Sequence, residues 1–238
     1  NLRENTYFDR MFSHPKSKLD LFTELNSSKV ILINTDQEHL GSEGTNIFGR
    51  YFLGALLSAS QERAGLHRSE RKPVYIYIDE AHDYIADDSK IANLIDQARK
   101  MRIALLLAHQ RTKQIQLPTV LDALSNTSIQ FANTNNANDL KLLPQTLNTT
   151  AEFISSQPKF HFALHVSGQP TFSYKVPVFL LENMPKMENE ERKVVYGKIR
   201  ERYTSPYRTA KDRGEEERTS EVTRSRDVSS VDKHESIK

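Results

Sequence analysis

The chain has 238 residues, 37% hydrophobic and 27% charged, which is enough for one α/β domain with a substantial core and a polar appendage. Its formal charge of +2 is too small to indicate nucleic-acid binding by the whole surface, so a DNA contact needs a local patch or an assembled ring. The absence of cysteine excludes disulfides and thiolate metal sites, and no apolar stretch approaches the roughly 20 residues of a membrane span.

Apolar runs predict strands in the first part of the chain. They lie at 29–34, 74–78, 103–108 and 128–132, the last being the weakest. Apolar residues at helical spacing predict helices at 47–64 and 89–101, and Asp87 or Asp88 offers the N-cap of the second. Strands that alternate with helices indicate parallel pairing through right-handed crossovers.

The pattern changes near residue 160. Residues 160–166 and 171–178 flank a turn sequence, S-G-Q-P, and predict a β-hairpin. The last 30 residues hold too few large apolar side chains to offset the cost of ordering them, which predicts a disordered tail. The predicted divisions are a lead-in at 1–28, an α/β body at 29–185, a region with a charged helix at 186–208, and the tail at 209–238.

The run Val74–Ile78 ends at two adjacent carboxylates, Asp79 and Glu80. This is the pattern of a Walker B strand, whose tip presents one carboxylate to the hydration shell of Mg²⁺ and the next to the water that attacks the γ-phosphate. A core strand that ends in an ordinary acidic turn has the same pattern. The pair alone therefore leaves both interpretations open.

A second group of polar residues surrounds the next predicted strand. Arg99, Lys100 and Arg102 precede it, and Gln110 follows it. Ligands of open α/β sheets collect at the carboxyl ends of the strands, so Gln110 is placed to contact a γ-phosphate or the attacking water. The three cations are equally well explained as a solvated helix end that complements the helix dipole.

Together these features resemble the FtsK–HerA superfamily of DNA-pumping ATPases, and within it the VirD4/TraG-like coupling proteins of conjugation and type IV secretion. The resemblance covers residues 29 to 180, and the order and spacing of its parts are more specific than any single part. The matching features are Asp79-Glu80 at a strand end, Ala98-Arg99-Lys100 at a helix end, the strand at 103–108 with Gln110, the segment 124–127, and Asn138-Asp139.

The resemblance implies a RecA-like, mostly parallel sheet flanked by helices, incomplete in this chain and followed by the hairpin and the tail. It implies ATP and Mg²⁺ as cofactors, with Asp79 holding Mg²⁺ through water. Glu80 is then expected to polarise the attacking water, and Gln110 to sense the γ-phosphate. Arg99 is the expected arginine finger for a neighbouring subunit's nucleotide, with Arg102 and Arg111 as competing candidates.

For the parent protein, the resemblance implies an ATP-driven translocase that moves DNA or a DNA–protein substrate. The implied partners are further copies in a ring, a hexamer, together with DNA in the assembled ring and secretion-channel proteins. The implied location is the cytoplasm, at the inner face of the bacterial membrane through a segment upstream of Asn1.

The chain departs from this family in one motif. A phosphate loop reads G-x-x-x-x-G-K-[ST], and its nearest match here is G-T-N-I-F-G-R-Y at 44–51. Arg replaces Lys, Tyr replaces the small hydroxyl residue, and Ile and Phe are bulky for a loop that wraps phosphate. We therefore expect the phosphate loop upstream of Asn1, and we expect the chain alone to be inactive.

Other interpretations have less support. Residues 79–82 spell the DEAH box of a helicase family, but the next strand lacks that family's Ser-Ala-Thr motif, so His82 is interpreted as a helix-start residue. A metal site built on Asp79, Asp83, Asp87 and Asp88 has no supporting His or Cys cluster, and no serine lies in a nucleophile elbow. The alternatives that remain are a degenerate, non-catalytic ATPase-like interaction module and a HerA-type DNA-processing translocase.

Overall fold

The structure is a computed structural model that describes residues 6–12, 14, 16–86 and 89–206. The described chain forms two compact units, one from residues 20–186 and the other from the described residues before and after that range. The larger unit is a mixed α/β structure with a small parallel sheet and an antiparallel sheet, flanked by helices. This confirms the predicted α/β fold class with helices flanking the sheets.

The first and last helices belong to the smaller unit, and the other elements belong to the larger one. In chain order the elements are α1 (Thr6–Phe12), α2 (Leu21–Leu25), α3 (Gln37–Glu62), β1 (Val74–Ile78), α4 (His82–Ile85), α5 (Ser89–Ala98), β2 (Ile103–Leu107), α6 (Pro118–Ser125), β3 (Ile129–Ala132), α7 (Asp139–Thr146), α8 (Ala151–Ser155), β4 (His161–Val166), β5 (Phe172–Lys175), α9 (Val178–Glu182) and α10 (Asn189–Tyr203).

The parallel sheet consists of β1 and β2, which pair along their full lengths with Ile78 opposite Leu107. The predicted parallel pairing is confirmed for these strands. One face of the sheet packs on the main core, whereas Tyr75 and Tyr77 on the other face are 64% and 73% exposed. The buried residues of that core are Ala81, Tyr84, Ile85, Ala92, Leu94, Ile115, Val120 and Ala123.

The antiparallel sheet has the order β3-β4-β5, and the predicted hairpin is confirmed as β4 and β5. The expectation that β3 joins a parallel sheet is wrong, because β3 pairs antiparallel with β4. The reason is packing: Ala132 and Ala163 face each other across the two strands and form a second core with Leu147 and Ile154. The hairpin's second strand ends before residue 178, because Pro177 has no N–H for a ladder bond and caps α9.

The predicted strand at 29–34 is wrong. Residues 29–36 have no regular secondary structure, and Val30 and Leu32 are 88% and 90% exposed. Apolar side chains alone do not make a strand, since its N–H and C=O groups also need a neighbouring strand to bond with. The described backbone provides no such ladder for this segment.

The predicted helices are present with shifted ends. The helix predicted at 47–64 lies within α3. The first turn of α3 begins at Gln37, where the Asp36 carboxylate accepts the N–H of Glu38 (2.9 Å), and the helix is kinked at Gly41 (φ 71°, ψ 164°) before it continues to Glu62. The helix predicted at 89–101 is α5, which tightens into a 3-10 turn at Arg99–Met101. Its predicted caps, Asp87 and Asp88, lie outside the described residues.

The charged helix predicted after residue 185 is α10, which begins with a capping box formed by Glu188 and Glu191. The predicted disordered tail at 209–238 lies outside the described residues, and the predicted division of the chain into four parts stays a prediction. None of the helices in the described ranges combines the length and the apolar character needed to cross a bilayer.

Candidate functional site

The carboxyl ends of β1 and β2 bring two of the predicted site residues together. Glu80 follows β1 and Gln110 follows β2, 30 positions further along the chain. Because these strands are parallel and in register, both side chains leave the sheet at the same edge. Gln110 Nε2 donates a 2.5 Å hydrogen bond to Glu80 Oε1. Gln110 therefore lies at the edge where the sequence predicted it, in direct contact with a carboxylate.

Glu80 has an unusual backbone conformation. Its φ of 46° lies in the left-handed region, which residues other than glycine seldom occupy and which is enriched at turns and functional sites. Its N–H donates to Asp79 Oδ1 (3.0 Å), and the N–H of Ala81 donates to the carbonyl of Ala108 (2.8 Å). Because the residues on either side are held, the turn itself sets the direction of the Glu80 side chain.

A histidine lies on the other side of this carboxylate. His82 is the first residue of α4, as predicted, and its side chain is only 17% exposed. Nδ1 lies 3.4 Å from Glu80 Oε2, and Nε2 lies 3.3 Å from Asp83 Oδ1. Sequence reasoning missed this contact, because it depends on the left-handed turn at Glu80 and no local pattern predicts that turn.

Asp79 is exposed beyond the end of β1. One lone pair of Oδ1 accepts the N–H of Glu80, which leaves the remaining carboxylate lone pairs for a hydrated cation. This donor chemistry fits Mg²⁺, which prefers oxygen ligands and keeps several of its waters. Within the described ranges, no group of three or more His, Cys, Asp or Glu side chains is arranged to hold a metal. Asp79 therefore fits a contact through water better than a closed metal cage.

Residues 44–51, the nearest match to a phosphate loop, lie inside α3. Beyond the first turn after the kink at Gly41, the amides of this segment bond to carbonyls four residues back, and the segment forms no loop that wraps a phosphate. Gly49 is instead required by packing, since a Cβ there would lie 2.1 Å from Cδ1 of Tyr84. Tyr84 is 8% exposed, and its hydroxyl shares a 2.8 Å hydrogen bond with Thr35 Oγ1. The glycine at this position therefore reflects helix packing.

The three candidate arginines are divided between the two ends of the parallel sheet. Arg99 begins the 3-10 turn before β2 and Arg102 follows it, and the carbonyl of Arg102 accepts the N–H of Val74 at the start of β1 (3.0 Å). The five residues of β1 separate this end from Glu80, a span of about 16 Å at about 3.3 Å per residue. Arg111 lies at the carboxyl ends of the strands. Neither Arg99 nor Arg102 is near Glu80 of its own chain.

Two further arginines stabilise the amino ends of the strands. Arg63 is fully buried, and its Nη2 donates to the carbonyl of Lys72. Arg71 Nη1 donates to the carbonyl of Lys100 (2.8 Å). Burial lowers the pKa of Arg63, and the positive charges of Arg71 and Arg102 lower it further. The amino ends are thus basic, and hydrogen bonds from arginine to backbone carbonyls hold them.

Asp139 holds the loop that follows Gln110. Its carboxylate is buried and accepts both the N–H (3.0 Å) and the hydroxyl (2.6 Å) of Thr112, while Thr134 Oγ1 lies 3.3 Å away. Buried polar groups that are fully bonded in this way give a loop one preferred conformation. The sequence marked Asn138-Asp139 only as part of the family resemblance, and the structure shows that Asp139 connects α7 to the end of β2.

Comparison with models of known protein families finds no match, and comparison with curated protein sequences finds none. Among solved structures, the chain is similar to VirB4 of Thermoanaerobacter pseudethanolicus, with 13% sequence identity and a TM-score of 0.43. The similarity covers 66% of this chain and 41% of that chain, so it spans less than half of the VirB4 structure.

Proposed function

We propose that this chain is the C-terminal half of the motor domain of an ATP-driven translocase. The observation that supports this best is the hydrogen bond between Gln110 and Glu80 at the ends of adjacent parallel strands, beside the exposed Asp79. In open α/β sheets, ligands bind at this edge. A carboxylate that follows one strand of a parallel pair, with a polar residue at the end of the neighbouring strand, is the arrangement that positions water in nucleotide hydrolysis.

Each side chain has a proposed task. Asp79 would hold a hydrated Mg²⁺, and Glu80 would orient the attacking water and accept its proton. Gln110, which bonds to Glu80 Oε1, would fix the direction of that carboxylate and sense the γ-phosphate. When bound, Mg²⁺–ATP supplies the phosphoryl group and neutralises its charge. Since no described segment has the form of a phosphate loop, we expect the 238-residue chain alone neither to bind nor to hydrolyse ATP measurably.

Arg99 is proposed to act on a neighbouring copy. The length of β1 separates it from Glu80, so one copy cannot place both side chains at one nucleotide. In a head-to-tail ring, the basic amino ends of one sheet would face the acidic carboxyl ends of the next, which is a heterologous interface that closes on itself. We therefore propose a ring, a hexamer as in the family that the sequence resembles.

The proposed cargo is DNA or a DNA–protein substrate, as for VirD4/TraG-like coupling proteins in conjugation or type IV secretion. Secretion-channel proteins are the proposed partners, and the inner face of the bacterial membrane is the proposed location. A HerA-type DNA-processing translocase would use the same site residues. The sequence resemblance supports the translocase class, and the site geometry does not distinguish between its members.

A non-catalytic interaction module is the second candidate function. The observation that favours it is the uncovered face of the parallel sheet. Tyr75 and Tyr77, two positions apart in β1, are both exposed on this face. A relic of an ATPase could bind a partner through such a face without nucleotide. Under this hypothesis, replacing Glu80 leaves the function of the protein unchanged.

The test is Glu80→Gln in the full-length protein. Loss of a positioned base is expected to reduce ATP turnover by about 10²–10⁴-fold while ATP binding is retained. Glu152→Gln in α8 is the matched control, because it removes the same charge away from the site. Turnover and ATP binding are measured for all three proteins. Equal turnover in the wild type and Glu80→Gln would exclude the proposed role of Glu80 and favour the interaction module.

A further inference from the structure

Two enclosed polar atoms face each other at the candidate site. Glu80 Oε2 and His82 Nδ1 are both shielded from solvent, neither makes a hydrogen bond, and they lie 3.4 Å apart. This distance is a few tenths of an ångström longer than the N–H···O range of about 2.7–3.2 Å. Hydrogen bonds between catalytic groups are often long in the ligand-free state and shorten in the complex with substrate. The two atoms are therefore close to hydrogen-bonding distance without being bonded.

A second carboxylate lies at the other ring nitrogen. Nε2 lies 3.3 Å from Asp83 Oδ1, and Asn46 Nδ2 of α3 donates to the backbone carbonyl of Asp83 (2.7 Å). The bond from Asn46 attaches the start of α4 to α3. With most of its surface covered, the His82 ring has little freedom to turn away from Glu80.

We propose that His82 is a positioning residue that clamps the Glu80 carboxylate. When the site closes on nucleotide, His82 Nδ1–H donates to Oε2 while Gln110 Nε2 continues to donate to Oε1. With both oxygens held, the carboxylate cannot rotate about its terminal bond, and it presents one lone-pair direction to the attacking water. This inference rests on the proposed function, since a clamp on Glu80 matters only where Glu80 activates water.

The two ring nitrogens have different partners, and this makes the proposal testable. A neutral imidazole carries a single N–H, so it can donate to Glu80 only as the Nδ1–H tautomer, whereas the doubly protonated ring donates to Glu80 and Asp83 together. Asn at position 82 places its amide nitrogen near the position of Nδ1, whereas Gln places its amide nitrogen near Nε2. His82→Asn therefore keeps the donor toward Glu80, and His82→Gln keeps only a donor toward Asp83.

The experiment measures steady-state ATP hydrolysis, ATP binding and thermal unfolding of the full-length protein with Ala, Asn or Gln at position 82. His82→Ala is expected to lower kcat by about 10–100-fold, the usual consequence of a misplaced catalytic group, with KM changed by less than about threefold. His82→Asn is expected to recover most of the lost kcat, and His82→Gln is not. His67→Ala, an exposed histidine in the loop before β1, is the control and keeps wild-type kcat.

Two outcomes would overturn the clamp. A kcat of His82→Ala within about twofold of wild type would show that Glu80 needs no second anchor. Asn and Gln variants impaired to the same degree, in parallel with their loss of thermal stability, would show that the ring only packs. If Glu80→Gln itself leaves turnover unchanged, the proposed function fails. If only the proposed role of His82 is wrong, Glu80→Gln is inactive while His82→Ala is active.

Discussion

The two ends of the parallel sheet differ in the partners of their charged side chains. At the carboxyl ends, Glu80 meets other side chains, those of Gln110 and His82. At the amino ends, Arg63 and Arg71 donate to backbone carbonyls. A side chain bonded to another side chain can exchange that partner for a ligand, whereas a bond to a carbonyl stabilises the local fold. Glu80 therefore has side-chain neighbours that a ligand can replace, whereas Arg63 and Arg71 have structural partners.

The largest predicted effect tests whether the two ends cooperate between copies. Arg99→Ala in the full-length protein is expected to reduce assembly-stimulated ATP turnover by about 10³–10⁵-fold, as for loss of an arginine finger, with ATP binding retained. Mixing Arg99→Ala with Glu80→Gln subunits is expected to restore part of the turnover, because some junctions then join an intact Arg99 to an intact Glu80.

Mixed rings that contain both variants and show no recovery would mean that Arg99 acts within its own subunit or only supports the fold. Arg102→Ala and Arg111→Ala are the comparison variants. Arg102 lies at the same end of the sheet as Arg99, whereas Arg111 lies at the end where Glu80 is. If turnover recovers when Arg111→Ala, and not Arg99→Ala, is mixed with Glu80→Gln, then Arg111 is the residue that acts on the neighbouring copy.

The second prediction concerns the packing beneath the carboxyl end. Gly49→Ala is expected to lower the local free energy of unfolding by about 1–3 kcal/mol, because the new methyl group overlaps the Tyr84 ring and Tyr84 is tethered to Thr35. Gly54→Ala in the same helix is the control, since a Cβ there meets no atom within 4 Å. The local free energy of unfolding of each variant is measured by amide hydrogen exchange of α3 and α4. Equal protection in the two variants would contradict the close approach of α3 and α4.

A third, smaller effect tests whether the amino end is structural. Arg71→Lys is expected to cost about 0.5–1.5 kcal/mol, because a lysine cannot reproduce the fork that reaches the carbonyls of Ala64, Leu66 and Lys100. Arg68→Lys, at an exposed position of the same loop, is the control. The difference in stability between the two variants is measured from the hydrogen-exchange protection of the β1 and β2 amides. Unchanged protection in Arg71→Lys would contradict a structural role.

The smallest prediction concerns the Asp36 carboxylate, which accepts a hydrogen bond from a backbone N–H. The hydrogen bond from the Glu38 N–H, and then His39, lower the pKa of Asp36. A lowered pKa in the folded state means that the Asp36 cap stabilises α3 above the pKa of the unfolded chain, and that this stabilisation is lost as pH falls through the folded pKa. The NMR shift of the Glu38 amide should follow this titration, and Asp36→Asn should abolish it without changing ATP turnover.

Much of the candidate site could be predicted because it depends on local pattern. Val74–Ile78 and Ile103–Leu107 are apolar runs of strand length, and parallel pairing places whatever follows them at one edge. The approach of Gln110 to Glu80 follows from that arrangement. The contact of His82 with Glu80 does not, because it requires a positive φ at a residue type that rarely adopts one.

The parts of the fold that could not be predicted depend on distant partners. Residues 29–34 have the composition of a strand, but whether they pair is decided by the presence of a neighbouring strand. The orientation of β3 depends on the hairpin that follows it by about 30 residues, where Ala163 fits against Ala132. The spacing of Gly44 and Gly49 matched that of a phosphate loop, although a helix was predicted there, and the packing reason for Gly49, the Tyr84 ring, lies in another helix.

The uncovered face of the parallel sheet also gives the protein an optical signal. The chain has no tryptophan, so its near-ultraviolet absorbance and emission are dominated by tyrosine. Tyr75 and Tyr77 are mostly in contact with water, and any polypeptide that covers this face moves both phenol rings into a less polar surrounding. Association through the sheet can therefore be followed in unlabelled protein by the change in tyrosine absorbance or emission. The double variant Tyr75→Phe/Tyr77→Phe is the control.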